Sequence, residues 1–160
     1  MRIAIYAGSF DPITRGHEDL MLRSLEFVDK LVVAVAVNSA KEPLFSVEER
    51  VSLIRDAMAN EPRIEVHSFR GLLVEFAAQV RATLLIRGLR AVSDFEYEYQ
   101  MALMNRHLSP QLETVFMIPS LDTTHISASL VREIARYGGD VGGLVHPVVA
   151  SALKAKYSVR

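Results

Sequence analysis

Cysteine and tryptophan are both absent from the 160 residues. The missing thiols exclude disulfides, thiolate nucleophiles and cysteine-based metal sites, and they fit a cytosolic protein. Charge of one sign is also lacking. Eighteen Lys and Arg stand against nineteen Asp and Glu, a net charge of -1, so no global field draws the protein onto nucleic acid or anionic lipid. Any anion site must therefore be local. No apolar run reaches membrane-spanning length, and Met1-Arg2-Ile3 leads straight into a strand pattern without the regions of a secretion signal. The expectation is a cytoplasmic protein. What remains is an ordinary globular composition, 50% apolar and 23% charged, with a length that fits one domain over 1–160 and can bury a core unaided.

Short β-type runs alternate with helical patterns along the whole chain. The expected strands cover 2–7, 30–37, 63–68, 83–86 and 114–118; the helices between and after them cover 16–27, 47–59, 72–80, 93–108, 127–137 and 147–157. This alternation predicts a single-domain α/β fold: a Rossmann-like, doubly wound, parallel five-stranded sheet with helices on both faces and a C-terminal helical extension. Ser46 with Glu49 reads as a capping box, Gly138-Gly139 as a helix stop and Pro147 as a helix start. The helix over 93–108 carries two apolar stripes, one through Phe95, Tyr99 and Leu103 and another through Tyr97, Met101, Met104 and Leu108. Two faces suggest two neighbours, the sheet and another subunit; a central, wholly covered helix fits the pattern equally well.

In an open parallel sheet, ligands bind beyond the carboxyl ends of the strands. The first such loop holds Gly8-Ser9-Phe10-Asp11-Pro12 and Thr14-Arg15-Gly16-His17. Gly8 permits close backbone approach, Ser9 offers a hydroxyl, and a helix N-terminus with free N–H groups follows. Gly16 would leave the helix surface bare beside His17, whose imidazole can donate to a phosphate oxygen. Each residue taken alone also suits a plain turn, a helix cap or an exposed surface; the combination at the end of the first strand favours a nucleotide phosphate.

These residues resemble the signature of the nucleotidyltransferase superfamily, and within it the bacterial phosphopantetheine adenylyltransferases. The resemblance continues in order through Lys41 before Pro43, Arg87-Gly88-Leu89-Arg90-Ala91-Val92, Asp94-Phe95-Glu96-Tyr97-Glu98, Met104-Asn105-Arg106-His107-Leu108 and Ile126-Ser127-Ala128-Ser129. Physically, Lys41 is a compact mobile cation suited to bridging the phosphates of two substrates, or a solvated surface lysine. Arg87 and Arg90 can hold phosphate bidentately from one edge. Ser127 and Ser129 begin a helix, so they can cap it, bind a triphosphate, or do both. The resemblance implies that Ser9, Lys41, Leu73 and Arg87 contact the acceptor. It implies ATP contacts from Ser9, Phe10, His17, Gly88, Leu89, Arg90, Glu98, Thr123, Thr124, His125, Ile126, Ser127, Ala128 and Ser129. Ala128 departs from the commoner serine, and Thr123 and His125 stand near positions that often carry aromatic residues.

The implied reaction is reversible adenylyl transfer from ATP to 4′-phosphopantetheine, giving dephospho-coenzyme A and pyrophosphate. The attacking phosphate oxygen is already anionic, so no general base is needed, and neither a Cys/His pair nor a Gly-x-Ser-x-Gly elbow is present. His17, Lys41 and Arg90 would stabilise charge on the pentavalent α-phosphorus. Mg2+ is expected to travel with ATP without direct protein ligands. The resemblance further implies a homohexamer, with coenzyme A as a feedback ligand. Two alternatives stand beside this reading. One is transfer to another acceptor, such as nicotinamide mononucleotide; the other is a non-catalytic nucleotide sensor.

Overall fold

A computed structural model describes residues 1–37 and 42–158. The elements follow as β1 (Ile3–Gly8), α1 (Arg15–Ser24), β2 (Lys30–Ala36), α2 (Val47–Ala57), β3 (Ile64–Phe69), α3 (Leu73–Gln79), β4 (Leu84–Gly88), α4 (Val92–Leu108), β5 (Glu113–Met117), α5 (Ala128–Arg136) and α6 (Pro147–Ser158). All strand pairs are parallel, in the order β3-β2-β1-β4-β5. This is the doubly wound architecture expected from the alternation of patterns.

The strand pleat sorts side chains into two cores. Ala4 and Tyr6 of β1 and Leu31, Val33 and Val35 of β2 face the larger core with residues of α1, α2, α5 and α6. Their alternates Ile3, Ile5, Ala7, Val32 and Ala34 face the smaller core with Val74 and Ala77 of α3. Period-two alternation in strands apolar on both sides is what a parallel sheet covered on both faces requires. The capping box forms as read, with Ser46 Oγ accepting from Glu49 N and Glu49 Oε2 accepting from Ser46 N. After α5, Gly138 adopts φ 75° and Gly139 N donates to Ile134 O, a glycine-terminated helix end. Among the described residues, no helix is long and apolar enough to cross a membrane.

Three expectations are corrected. Helix α1 begins at Arg15, because Thr14 caps it, and it gives way after Ser24 to tighter bonds from Leu25 N to Leu22 O and Phe27 N to Ser24 O. Strand β4 runs on to Gly88, paired with Met117, so Arg87 and Gly88 are strand residues. The third concerns α4, which is not wholly covered. Both of its apolar stripes are exposed, including Tyr97 at 62%, Leu103 at 50% and Met104 at 53%, while its buried residues are Glu98 and Asn105. The helix turns polar groups to the sheet because one of them has a charge to meet there.

Candidate active site

Strand order reverses between β1 and β4, since β2 and β3 lie to one side and β5 to the other. The two loops leaving this point diverge to opposite faces and open a crevice, the usual ligand position in such sheets. Here it is a cleft of about 750 Å³. A side cavity of about 210 Å³ shares Ala7, Gly8, Ser9, Arg87 and Glu98 with it and runs between the sheet and α4.

The first wall is the β1–α1 loop. Ser9 and Phe10 line the cleft, but the Phe10 ring is buried, packing edge-on to Tyr6 at 5.4 Å and to His17 at 5.0 Å. Phe10 has φ 49°, a conformation that costs a non-glycine residue roughly 1–2 kcal/mol, and burial of its ring offsets this. The space over Gly8 is occupied by that ring: a Cβ there would lie 3.2 Å from Phe10 Cζ. Gly16 also has a packing reason, because a Cβ would meet Thr123 O at 3.4 Å. It allows α1 to approach the segment before α5.

His17 is the third residue of α1, and its side chain closes a capping box with Thr14. Nδ1 accepts the Thr14 backbone N–H at 3.0 Å, so the ring proton belongs on Nε2. Burial, with a smaller contribution from Arg90, lowers the His17 pKa to about 4. His17 is therefore a neutral Nε2–H donor at the cleft. The spacing of Thr14 and His17 was a legible signal, a capping box with histidine in place of the usual Glu or Gln.

The second wall comes from β4 and α4. Pleat alternation puts Arg87 on the α4 side and Gly88 on the α1 side, where a Cβ would come within 2.6 Å of Leu20 Cδ1. Arg87 Nε and Nη2 donate to Glu98 Oε2 and Oε1 at 2.8 and 2.6 Å, and Nη1 donates to Ala7 O at 2.9 Å. The bidentate pair raises the Arg87 pKa further and leaves only the outer guanidinium N–H groups for a ligand. Glu98 lines the cleft with both oxygens already engaged by Arg87, a pairing that the spacing of the two residues did not suggest. Arg90 is half-exposed beside Asp94, at 3.5 Å.

The third wall is the segment before and into α5. Thr123, Ile126, Ser127, Ala128 and Ser129 line the cleft; Leu89, Thr124 and His125 do not. Ser127 caps α5 by accepting from Leu130 N at 3.2 Å, and helix geometry leaves the first-turn N–H groups of Ala128 and Ser129 for a ligand. Leu73 lies in the side cavity with Tyr97, Met101 and Asn105. Lys41 falls outside the described residues; Glu42 and Pro43, next to it, line the cleft.

Several contributors were missed from sequence. Asp11 is buried, and its two oxygens accept from Leu44 N and Phe45 N, both at 2.9 Å. Arg132 of α5 lines the cleft and donates to Asp11 O at 2.6 Å. Asp19 of α1 accepts from Ser120 N and Oγ at 3.0 and 2.7 Å, tying the third wall to α1. Burial opposes ionisation of Asp19, but these bonds and Arg23 outweigh it and hold its pKa below the usual carboxylate range. None of these contacts has a local sequence signal, because their partners lie 33 to 121 residues away.

The cytidylyltransferase-like family profile matches residues 5–134. A phosphopantetheine adenylyltransferase of Thiobacillus denitrificans is 53% identical over 156 residues, covering 98% of both chains. Similar proteins of the same name occur in Bordetella pertussis, 53% identical over 100% of this chain and 95% of the relative, and in Nitrosomonas eutropha, 56% identical over 95% and 93%. A solved structure from Vibrio parahaemolyticus, provisionally named a nicotinate-nucleotide adenylyltransferase, has the same fold with TM-score 0.72, 14% identity and coverage of 96% and 99%. A shared pattern over essentially the full length, at more than half of all positions, places this chain in the nucleotidyltransferase superfamily, as a member of the phosphopantetheine adenylyltransferase family.

Proposed function

We propose that the chain transfers the adenylyl group of ATP to the phosphate of 4′-phosphopantetheine, releasing pyrophosphate and forming dephospho-coenzyme A. The observation that carries this reading is the convergence of neutral His17, Arg87 and Arg90 with the α5 N-terminus in one cleft that continues into a side cavity. The acceptor phosphate oxygen attacks the α-phosphorus, a P–O bond forms, and the bond to pyrophosphate breaks. No protein nucleophile takes part. Neutral His17 Nε2–H and the Arg90 cation meet the charge that grows on the equatorial oxygens, with Lys41 as a second cation. Arg87 holds the acceptor phosphate, while Ser9 and the 123–129 segment take ATP. The arm of the acceptor enters the side cavity past Leu73. Its small volume and its lining by Phe69, Leu73, Leu85 and Met101 suit an extended chain better than a second nucleotide, and the 53% relatives favour this acceptor over nicotinamide mononucleotide.

Magnesium fits as part of the substrate. Of the cleft carboxylates, Asp11, Asp94 and Glu98 are engaged by protein N–H groups or arginines; Glu42 also lines the cleft, but a single carboxylate is no cage, and a hard cation would take most of its oxygens from the phosphates and water. Coenzyme A, sharing the pantetheine arm of the product, would compete for the same cleft as a feedback ligand. The exposed stripe of α4 through Phe95, Tyr99 and Leu103 supports assembly into a homohexamer; light scattering of Leu103→Glu should then report smaller species. The activity test incubates the protein with ATP, Mg2+ and 4′-phosphopantetheine and measures pyrophosphate. Turnover with nicotinamide mononucleotide but not with phosphopantetheine would transfer the assignment, and silence with both would favour a nucleotide sensor.

A further inference from the structure

We propose that Asp11 and Arg50 are positioning residues that fix the segment before α2, whose Glu42 and Pro43 line the cleft, against the β1–α1 loop that carries Ser9 and leads to His17, and so hold the geometry of the cleft in which the two phosphates react. The inference deepens the adenylyl-transfer reading and rests on it. Asp11 is 8% exposed and spends both carboxylate oxygens on the amides of Leu44 and Phe45, directly after the cleft residues Glu42 and Pro43. Arg50, 1% exposed, works in the opposite sense. Its Nη1 donates to Ser9 O at 2.7 Å and to Ala36 O at 3.2 Å, and its Nε to Ser46 O at 3.4 Å.

A buried anion and a buried cation thus tie the same two segments together through backbone groups alone. Burying either charge costs several kcal/mol unless it is well hydrogen-bonded, and an apolar staple would join two loops more cheaply. What the charged ties add is direction. Both carboxylate oxygens and three carbonyls must be met at once, which fixes the spacing and angle of the segment that leads from Glu42 and Pro43 into α2. Arg132, donating to Asp11 O, extends the same hub to the α5 wall. In-line attack tolerates little misplacement: an error of about 1 Å can cost on the order of 10² in rate.

The test uses Asp11→Asn, whose amide can accept only one of the two N–H groups and sets a donor against the other. The expected result is a kcat at least roughly tenfold lower, with KM for ATP within about threefold and amide exchange at Leu44 and Phe45 at least roughly tenfold faster. Turnover within threefold of the unsubstituted protein despite faster exchange, or unchanged exchange at both amides, overturns the proposal. If Asp11→Asn does not fold, Arg50→Lys keeps the charge but gives up the fork that spans Ser9, Ala36 and Ser46, and the same outcomes apply. An unsubstituted chain that releases no pyrophosphate sinks the reaction reading instead, while exchange at Leu44 and Phe45 still tests the tie.

Discussion

Histidine 17 performs two separable tasks with its two ring nitrogens, and substitution can divide them. Nδ1 accepts from Thr14 N and so closes the cap of α1, while Nε2–H faces the cleft. The amide of asparagine reaches about as far as Nδ1, and that of glutamine about as far as Nε2. His17→Asn should therefore keep the cap, with a loss of at most about 1 kcal/mol, or roughly 2–4 °C in Tm for a chain of this size. It should lose the donor to the transition state, which is worth roughly 10²–10³ in kcat, about 2.7–4 kcal/mol. His17→Gln should show the reverse, with a weakened cap and partial retention of turnover. The assay is pyrophosphate release at saturating ATP and phosphopantetheine, read beside a thermal melt of each variant. Wild-type turnover in His17→Asn, with an inactive but equally stable His17→Gln, would refute the assignment of the donor to Nε2.

The acid limb of stability should also carry the mark of this histidine. Its folded pKa of about 4 lies below the unfolded value of about 6.5, so the unfolded chain binds the proton first as pH falls. Stability contributed by neutral His17 is full above pH 6.5 and declines toward pH 4, by on the order of 1–3 kcal/mol for this half-buried ring. Urea midpoints at pH 7.5 and 5 should differ less in His17→Asn than in the unsubstituted protein; equal differences would remove the shift. Glu98→Gln leaves Arg87 without its second anionic oxygen. Steady-state kinetics should show KM for phosphopantetheine rising roughly tenfold while that for ATP stays within about threefold; the opposite pattern would support a direct contact of Glu98 with ATP instead. Gly88→Ala forces the buried Leu20 off its place and should cost about 1–2 kcal/mol in a denaturant melt.

The sequence by itself determined the five strands, the alternation that makes their sheet parallel, the loops that collect at one edge, and the motifs that mark the family. These features are local, because pleat, helix period, capping and turn chemistry act over a few residues. Hence the capping box at Ser46 and the stop at Gly138 stand where they were expected. Boundaries moved where a distant partner decided them: β4 runs through Arg87 and Gly88 because β5 continues beside it. The resemblance could attach Arg87 and Glu98 to two different substrates, since a motif carries no record of which charges meet. Only the tertiary structure brings them together, by setting the outer face of β4 against the polar side of α4. In the same way it turns Asp11 from a turn residue into a tie to Leu44 and Phe45, 33 and 34 residues away. The β1/β4 switch point, the tautomer of His17 and the exposed stripe of α4 likewise depend on which elements become neighbours, and periodicity along one chain cannot specify that.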